Sequence, residues 1–121
     1  KDILGRYRLH ILGGSVNCGI NPVEFAKKAE ESGAGEILVN NIDRDGTMSG
    51  YDFGLIKSIA QAVKVPVIAC GGAGKPEDIQ KVFKINGVTA AAAGSLFVYH
   101  GRIKGILINY PSEQELENLY Y

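Results

Sequence analysis

The sequence predicts an α/β fold in which parallel strands alternate with helices, and three observations support this prediction. Short apolar runs rich in β-branched residues recur along the chain, and each ends in a glycine-rich turn. Between these runs lie segments with apolar residues at helical spacing, which begin at capping residues. Each helix and strand repeat is about 25–30 residues long, which suits βαβ units with right-handed crossovers.

The first part of the chain predicts three elements. Residues 6–12 alternate loosely and predict a short strand or one arm of a hairpin, followed by a loop over residues 13–19. Asn21 is placed as an N-cap with Pro22 at the first helical position, which predicts a helix over residues 22–32. Gly33 ends that helix, and the apolar run 37–39 predicts a buried strand.

The second part repeats the pattern. Asp52 is placed as the N-cap of a helix over residues 53–63, and residues 65–70 predict a strand with a proline near its start. A helix that begins near Pro76 should run to about residue 85, before a strand of small residues over 89–93. Residues 96–99 predict a short helix or a continuation of that strand, and the tail holds an apolar run at 105–108 and an acidic stretch at 113–117.

Two arrangements are compatible with this order of elements. One is a small, open, doubly wound sheet. The other is part of a (β/α)8 barrel, which needs about 250 residues, about twice the 121 present. The short buried strands that end in glycine-rich turns favour the barrel, so we expect residues 1–121 to form a single half-barrel unit.

Composition excludes several classes of function. The 13 basic and 13 acidic side chains balance, which argues against a nucleic-acid-binding protein. No apolar run approaches the roughly 20 residues of a membrane span, and the first residues do not resemble a signal peptide. Cys18 and Cys70 lack metal-ligand spacing, so we expect free thiols in a reducing cytoplasm and neither a metal nor a cofactor.

A pair of aspartates follows the first buried strand. Asp43 and Asp45 are two residues apart, so an extended backbone would direct both carboxylates to the same side. Ligands bind at this end of the strands in α/β proteins, and a carboxylate there can act as an acid or a base. The alternative is that both aspartates only cap backbone amides in a turn.

Glycines follow the other two strands, and they predict a phosphate site. Gly71 and Gly72 end the second strand, and Gly94 and Ser95 end the third. Parallel strands bring these ends to one rim together with Gly46, where backbone N–H groups and a helix N-terminus could hold a phosphate. The alternative is that the glycines serve only as turns.

Four segments resemble one known family, the cyclase subunit of imidazole glycerol phosphate synthase. They are residues 33–38, 42–47, 49–52 and 66–74. The likeness runs through the chain and covers the C-terminal half of that family's (β/α)8 barrel, from just after the fifth strand to the eighth. It implies a barrel of two similar halves, each with one phosphate site.

The resemblance also implies a reaction and a set of residue roles. Family members take ammonia from a glutaminase partner and use it in a lyase and cyclisation step on a ribonucleotide with two phosphates, in histidine biosynthesis. Matched residue by residue, the phosphate ligands of this half are Asp45, Gly46, Gly72, Gly94 and Ser95. Gly71 would support that turn. Glu36 would belong to the ammonia gate at the other end of the barrel, unless it is only a solvated residue at a strand start.

Two features separate this chain from an active member of that family. The two essential aspartates of the family lie on its first and fifth strands, and the likeness begins just after the fifth. The resemblance therefore implies that Asp43 and Asp45 are auxiliary and that these 121 residues alone are inactive. Asn40-Asn41 replaces the common Thr-Ser, and Asn40 should face the substrate.

The tail suggests alternatives. Its residues 97–102 and 107–111 resemble a paralogous branch that works with an amidotransferase on surface-polysaccharide sugars. A half-barrel that self-associates, or one that only binds phosphorylated small molecules, is also compatible with the sequence.

Overall fold

A computed structural model describes residues 1–101, 103–108 and 110–120 of the chain. The chain begins with a short antiparallel hairpin of β1 (His10–Ile11) and β2 (Val16–Asn17). Gly13 and Gly14 form its turn, both with positive φ, which glycine adopts without a steric penalty. The strand or hairpin arm predicted within residues 6–12 is confirmed by β1, whereas the loop predicted over residues 13–19 is wrong in part because it contains β2.

Three helices and three parallel strands alternate after this hairpin. They are α1 (Pro22–Glu31), β3 (Ile37–Asn40), α2 (Phe53–Ala60), β4 (Val67–Cys70), α3 (Pro76–Phe83) and β5 (Val88–Ala91). The strands form one parallel sheet in the order β3-β4-β5. This confirms the predicted α/β class with the alternation of a (β/α)8 half-barrel.

Several predicted boundaries are wrong by two or three residues. Helix α2 ends before residue 63 because the N–H of Ala62 bonds back to the carbonyl of Ile59 in a tighter turn. Helix α3 ends before residue 85 in the same way, with the N–H of Ile85 on the carbonyl of Val82. Strand β4 begins two residues later than predicted, after Pro66, which lacks the N–H needed for the ladder.

The C-terminal part holds elements that the sequence predicted only in part. Residues 95–98 form α4 (Ser95–Val98), and β6 (Tyr99–His100) then pairs with β7 (Gly105–Ile106) in a second antiparallel hairpin. The acidic stretch begins α5 (Glu113–Tyr120), which the sequence did not predict. Ser112 caps it in a reciprocal arrangement: its hydroxyl oxygen accepts the Glu115 N–H at 3.4 Å, and the Glu115 carboxylate accepts the Ser112 N–H at 2.8 Å.

The core lies between the sheet and the helices. Val39 on β3 is buried, as are Val67 on β4 and Ile56 on α2. Leu38, which points the other way along the pleat, is 56% exposed. The described residues therefore cover one face of the sheet with helices and leave the other face open. None of the helices in the described part of the chain combines the length and apolar character needed to cross a membrane.

Candidate phosphate-binding site

Three turns meet around a small cavity of about 30 Å³ at the carboxyl end of the parallel sheet. All the residues that the sequence predicted as phosphate ligands line this cavity, namely Asp45, Gly46, Gly71, Gly72, Gly94 and Ser95. They come from the loops after β3, β4 and β5. The tertiary structure thus brings together residues that are up to 50 positions apart in the sequence.

The loop after β3 is held in shape by its own backbone. The carbonyl of Asn41 accepts the N–H groups of Arg44 and Asp45, at 3.0 and 2.9 Å. The Arg44 guanidinium then reaches across the loop to the carbonyl of Gly50, at 3.1 Å. These bonds fix the positions of Asp45 and Gly46 before any ligand binds.

This loop is tied directly to the turn after β4. The N–H of Gly50 donates to the carbonyl of Gly72 at 2.7 Å. Gly72 has a φ of 106°, and a Cβ there would overlap the carbonyl oxygen of Gly50. Glycine is required at position 72 because the two backbones approach this closely.

Tyr51 joins the same loop to the end of β5. Its side chain is fully buried, and its hydroxyl donates to the carbonyl of Ala92 at 2.9 Å. Burial raises the pKa of Tyr51 to about 12, so the phenol stays protonated and keeps this bond. Ala92 leads into Gly94 and Ser95, so Tyr51 sets the distance between the first and third turns.

Unpaired backbone donors surround the cavity. Across the described ranges, the N–H groups of Gly72, Gly94 and Ser95 have no acceptor within the protein. Gly72 is buried and Ser95 is half-buried, and backbone N–H groups in such positions normally have a partner, whereas Gly94 is exposed. An anion in the cavity is the type of ligand that these donors could bind.

The two aspartates of the first loop do not form the pair that the sequence suggested. Strand β3 ends at Asn40, and residues 42–47 form turns, so the assumption of an extended backbone there is wrong. Asp45 lines the cavity, and its carboxylate accepts the side-chain amide of Asn40 at 3.3 Å. Asp43 lies outside the cavity, where its carboxylate contacts the amino group of Lys1.

Glu36 lies at the opposite end of the sheet from the cavity. It directly precedes β3, and its side chain is exposed. With Leu38 and Asn40 it shares the strand face that points away from the helices. All three also line a larger cavity of about 380 Å³ beside α1. It runs along the edge of β3 that has no partner strand among the described residues.

Two buried carboxylates, those of Asp52 and Asp78, hold the backbone around the site, a role that the sequence did not indicate. Asp52, predicted only as a helix cap, also accepts the Tyr7 hydroxyl and the Asn41 amide, both at 2.8 Å. Burial alone would raise its pKa, but the hydrogen bonds from the Leu55 N–H and Tyr7 outweigh burial and hold the pKa of Asp52 below its usual value.

Asp78 holds the backbone of the turn after β4. Its carboxylate accepts the N–H groups of Gly74 and Lys75, at 3.0 and 3.1 Å. The only signal in the sequence is an acidic residue at the third position of α3, where carboxylates commonly cap. Nothing in that signal shows that the capped amides belong to the turn beside the cavity.

Both cysteines are free thiols, as predicted. Cys70 lines the cavity, and burial raises the pKa of its thiol against the opposing effect of the Gly71 N–H. The raised pKa favours the neutral thiol, which packs as a small apolar group. Within the described ranges, no three acidic, histidine or cysteine side chains are grouped to hold a metal ion.

Comparison with known proteins identifies a family. A family model described as "Histidine biosynthesis protein" matches residues 2–104. Two relatives are named "Putative imidazole glycerol phosphate synthase subunit". The one from Leptospira interrogans is 45% identical over 96% of this chain and 46% of its own length. The one from Pseudomonas aeruginosa, hisF2, is 44% identical over 97% and 47%.

A third relative differs in how far the match extends. The imidazole glycerol phosphate synthase subunit HisF of Metallosphaera sedula is 50% identical, but over 80% of this chain and 39% of its own length. The chain therefore spans about half the length, or less, of these curated relatives.

Proposed function

Because this chain belongs to the histidine biosynthesis protein family, we propose that it supplies one phosphate-binding half of a (β/α)8 cyclase barrel. The observation that carries the proposal is the cavity at which all six predicted phosphate ligands meet. The backbone N–H groups of Gly72, Gly94 and Ser95, which have no acceptor in the described part of the chain, support it. Their arrangement suits a phosphate monoester, which accepts several hydrogen bonds at once.

The reaction that we propose for the whole barrel is the imidazole glycerol phosphate synthase step. Ammonia from a glutaminase or amidotransferase subunit is added to a ribonucleotide with two phosphates, and the product is cyclised and cleaved in a lyase reaction. Glu36, at the end of the sheet away from the phosphate, would lie on the ammonia path. We place this chemistry in the cytoplasm, where the soluble substrates of such a pathway are found.

Asp45 and Asn40 would assist on the substrate side. Their side chains contact each other at the rim, so a substrate group there meets a carboxylate held by an amide. Such a carboxylate can relay a proton in an auxiliary role. Asp43 would not touch the phosphate, because it lies outside the small cavity; it lines the larger cavity together with Asn40.

The phosphate site can be tested with inorganic phosphate and two charge-matched variants. Isothermal titration should show binding by the 121-residue chain, and Ser95→Glu should abolish it because the new carboxylate occupies the cavity. Ser58→Glu adds the same charge on the exposed face of α2 and should leave binding unchanged. Absence of binding by the unaltered chain, or equal effects of the two variants, would contradict the proposal.

A second candidate function is the amidation of surface-polysaccharide sugars by a related barrel and an amidotransferase. The observation behind it is the tail. It is included in the matches to relatives named as putative HisF or hisF2 subunits, which span 115–117 residues, whereas matches to three subunits named HisF without that qualifier span 95–97. Ammonia-dependent turnover of the ribonucleotide by the full-length barrel would exclude this alternative. Turnover that appears only after Asn40→Thr would favour it.

Self-association is a further proposal for the chain by itself. The outer edge of β3 has no partner strand among the described residues, and the 380 Å³ cavity lies beside it. Unpaired edges of this kind pair readily with other strands. Analytical ultracentrifugation should show a dimer or larger species, and a monomer at high concentration would contradict the proposal.

A further inference from the structure

Lys104 is the residue from which we infer an additional part of the proposed phosphate site. It lies at the end of the turn that joins β6 to β7, and its ammonium donates to the carbonyl of Gly46 at 3.2 Å. Gly46 lines the small cavity. The second hairpin therefore reaches the rim of a site that is otherwise built by the parallel sheet, 58 residues earlier in the chain.

The backbone at Lys104 is unusual for a lysine. Its φ is 49°, in the left-handed region where a residue with a side chain pays about 1 kcal/mol. The turn is closed by the N–H of Lys104 on the carbonyl of Gly101, at 3.1 Å. Glycine or asparagine would satisfy this conformation more easily, so the local backbone does not explain why a lysine occupies the position.

The charge balance of the cavity gives a reason for a lysine. Among the described residues that line the cavity, Asp45 is the one that carries a charge, and it is negative. The neighbouring cation, Arg44, is directed to the carbonyls of Ser49, Gly50 and Tyr51. A phosphate beside Asp45 would meet like charge unless another cation were present.

We propose that Lys104 is a phosphate-binding residue, whose ammonium moves from the Gly46 carbonyl to an oxygen of the bound phosphate monoester. The inference rests on the proposed phosphate site and adds its cation. In the free protein the carbonyl contact keeps the flexible lysine side chain close to the cavity. When phosphate is bound, the hairpin supplies a charge-assisted hydrogen bond in addition to the backbone amides.

The test is isothermal titration with inorganic phosphate on the 121-residue chain and three variants. Lys104→Asn removes the charge and suits the left-handed turn, and Lys104→Arg keeps the charge. Lys57→Gln removes one charge from the exposed surface of α2. We expect Lys104→Asn to raise the Kd about tenfold, the loss of one charge-assisted bond. Lys104→Arg and Lys57→Gln should stay within about threefold of the original Kd.

The outcomes separate this inference from the proposed function. If the unaltered chain binds phosphate and Lys104→Asn binds equally well, the role of Lys104 is overturned and the phosphate site stands. If Lys57→Gln weakens binding as much as Lys104→Asn, the effect is one of net charge and the inference is again overturned. If the unaltered chain does not bind phosphate, both proposals fail. Circular dichroism spectra that match the original chain establish that Lys104→Asn is folded.

Discussion

Removal of the Asp52 carboxylate should destabilise the fold more than any other single change in the loop after β3. Asp52 is 8% exposed. It caps α2 by accepting the Leu55 N–H at 3.1 Å. The same carboxylate accepts the Tyr7 hydroxyl and the Asn41 amide, both at 2.8 Å. Asp52→Ala deletes the acceptor for all three donors.

The size of the effect follows from these contacts. Loss of an N-cap costs about 1 kcal/mol. Asn41 is 8% exposed, so leaving its amide without a partner costs a further 1–3 kcal/mol, about 2 kcal/mol as a middle value. The Tyr7 hydroxyl is only half-buried, so water can replace the lost partner at little cost. The expected total is about 3 kcal/mol, or roughly 12 °C in Tm for a chain of this size.

Urea unfolding followed by circular dichroism measures this loss as a shift in Cm at constant m. Asp52→Asn should lose only about 1 kcal/mol because asparagine is also a good N-cap. Asp43→Ala is the matched control: this aspartate is exposed, and its removal should change stability by less than about 0.5 kcal/mol. Equal losses for Asp52→Ala and Asp43→Ala would refute the reasoning.

The acid dependence of Asp52 has a definite sign. Its folded-state pKa lies below the usual value, so its contribution is present above the unfolded pKa of about 3.9. That contribution is lost as the pH falls through the folded pKa. The stability difference between the original chain and Asp52→Ala should therefore shrink below about pH 4.

Two further changes test the turns around the cavity. Tyr51→Phe should cost about 1–2 kcal/mol because it leaves the Ala92 carbonyl without its donor. Because the folded pKa of Tyr51 is about 12 against about 10 unfolded, the original chain should lose stability as the pH rises from about 10 to 12, and the variant should lose less in alkaline urea titrations. Gly72→Ala should destabilise by more than about 2 kcal/mol, since its Cβ overlaps the Gly50 carbonyl at a positive φ. Gly94→Ala, with open space around its Cβ, should change urea unfolding by less than about 1 kcal/mol, and equal losses at the two glycines would contradict the assignment of close approach.

Local signals were sufficient to predict most of the elements. Asn21 with Pro22 predicts the start of α1, and Asp52 predicts the start of α2, because capping depends on a few adjacent backbone groups. Helix ends were predicted less well, since the tight turns that close α2 and α3 carry no distinct residue pattern. Helix α5 was missed because its acidic sequence has a weak apolar stripe, and its contact with α3 through Gln80 is tertiary.

The order of the elements along the chain indicates which residues could meet at the site. Parallel strands bring their carboxyl ends to one edge, so glycines after β4 and β5 and the Asp45 loop after β3 were expected to be neighbours. That expectation needs only the order of the elements, which the pattern of apolar and capping residues indicates, and the right-handed crossover that parallel βαβ units share.

Tertiary structure alone decided which side chains support the site. It separated Asp43 from Asp45, because two amides that bond to one carbonyl turn the chain away from an extended path. It placed Tyr51 beneath Ala92 and Lys104 beside Gly46, contacts that join residues 41 and 58 positions apart. Such long-range contacts depend on the exact packing of separate elements, and no local pattern in the amino-acid sequence encodes them.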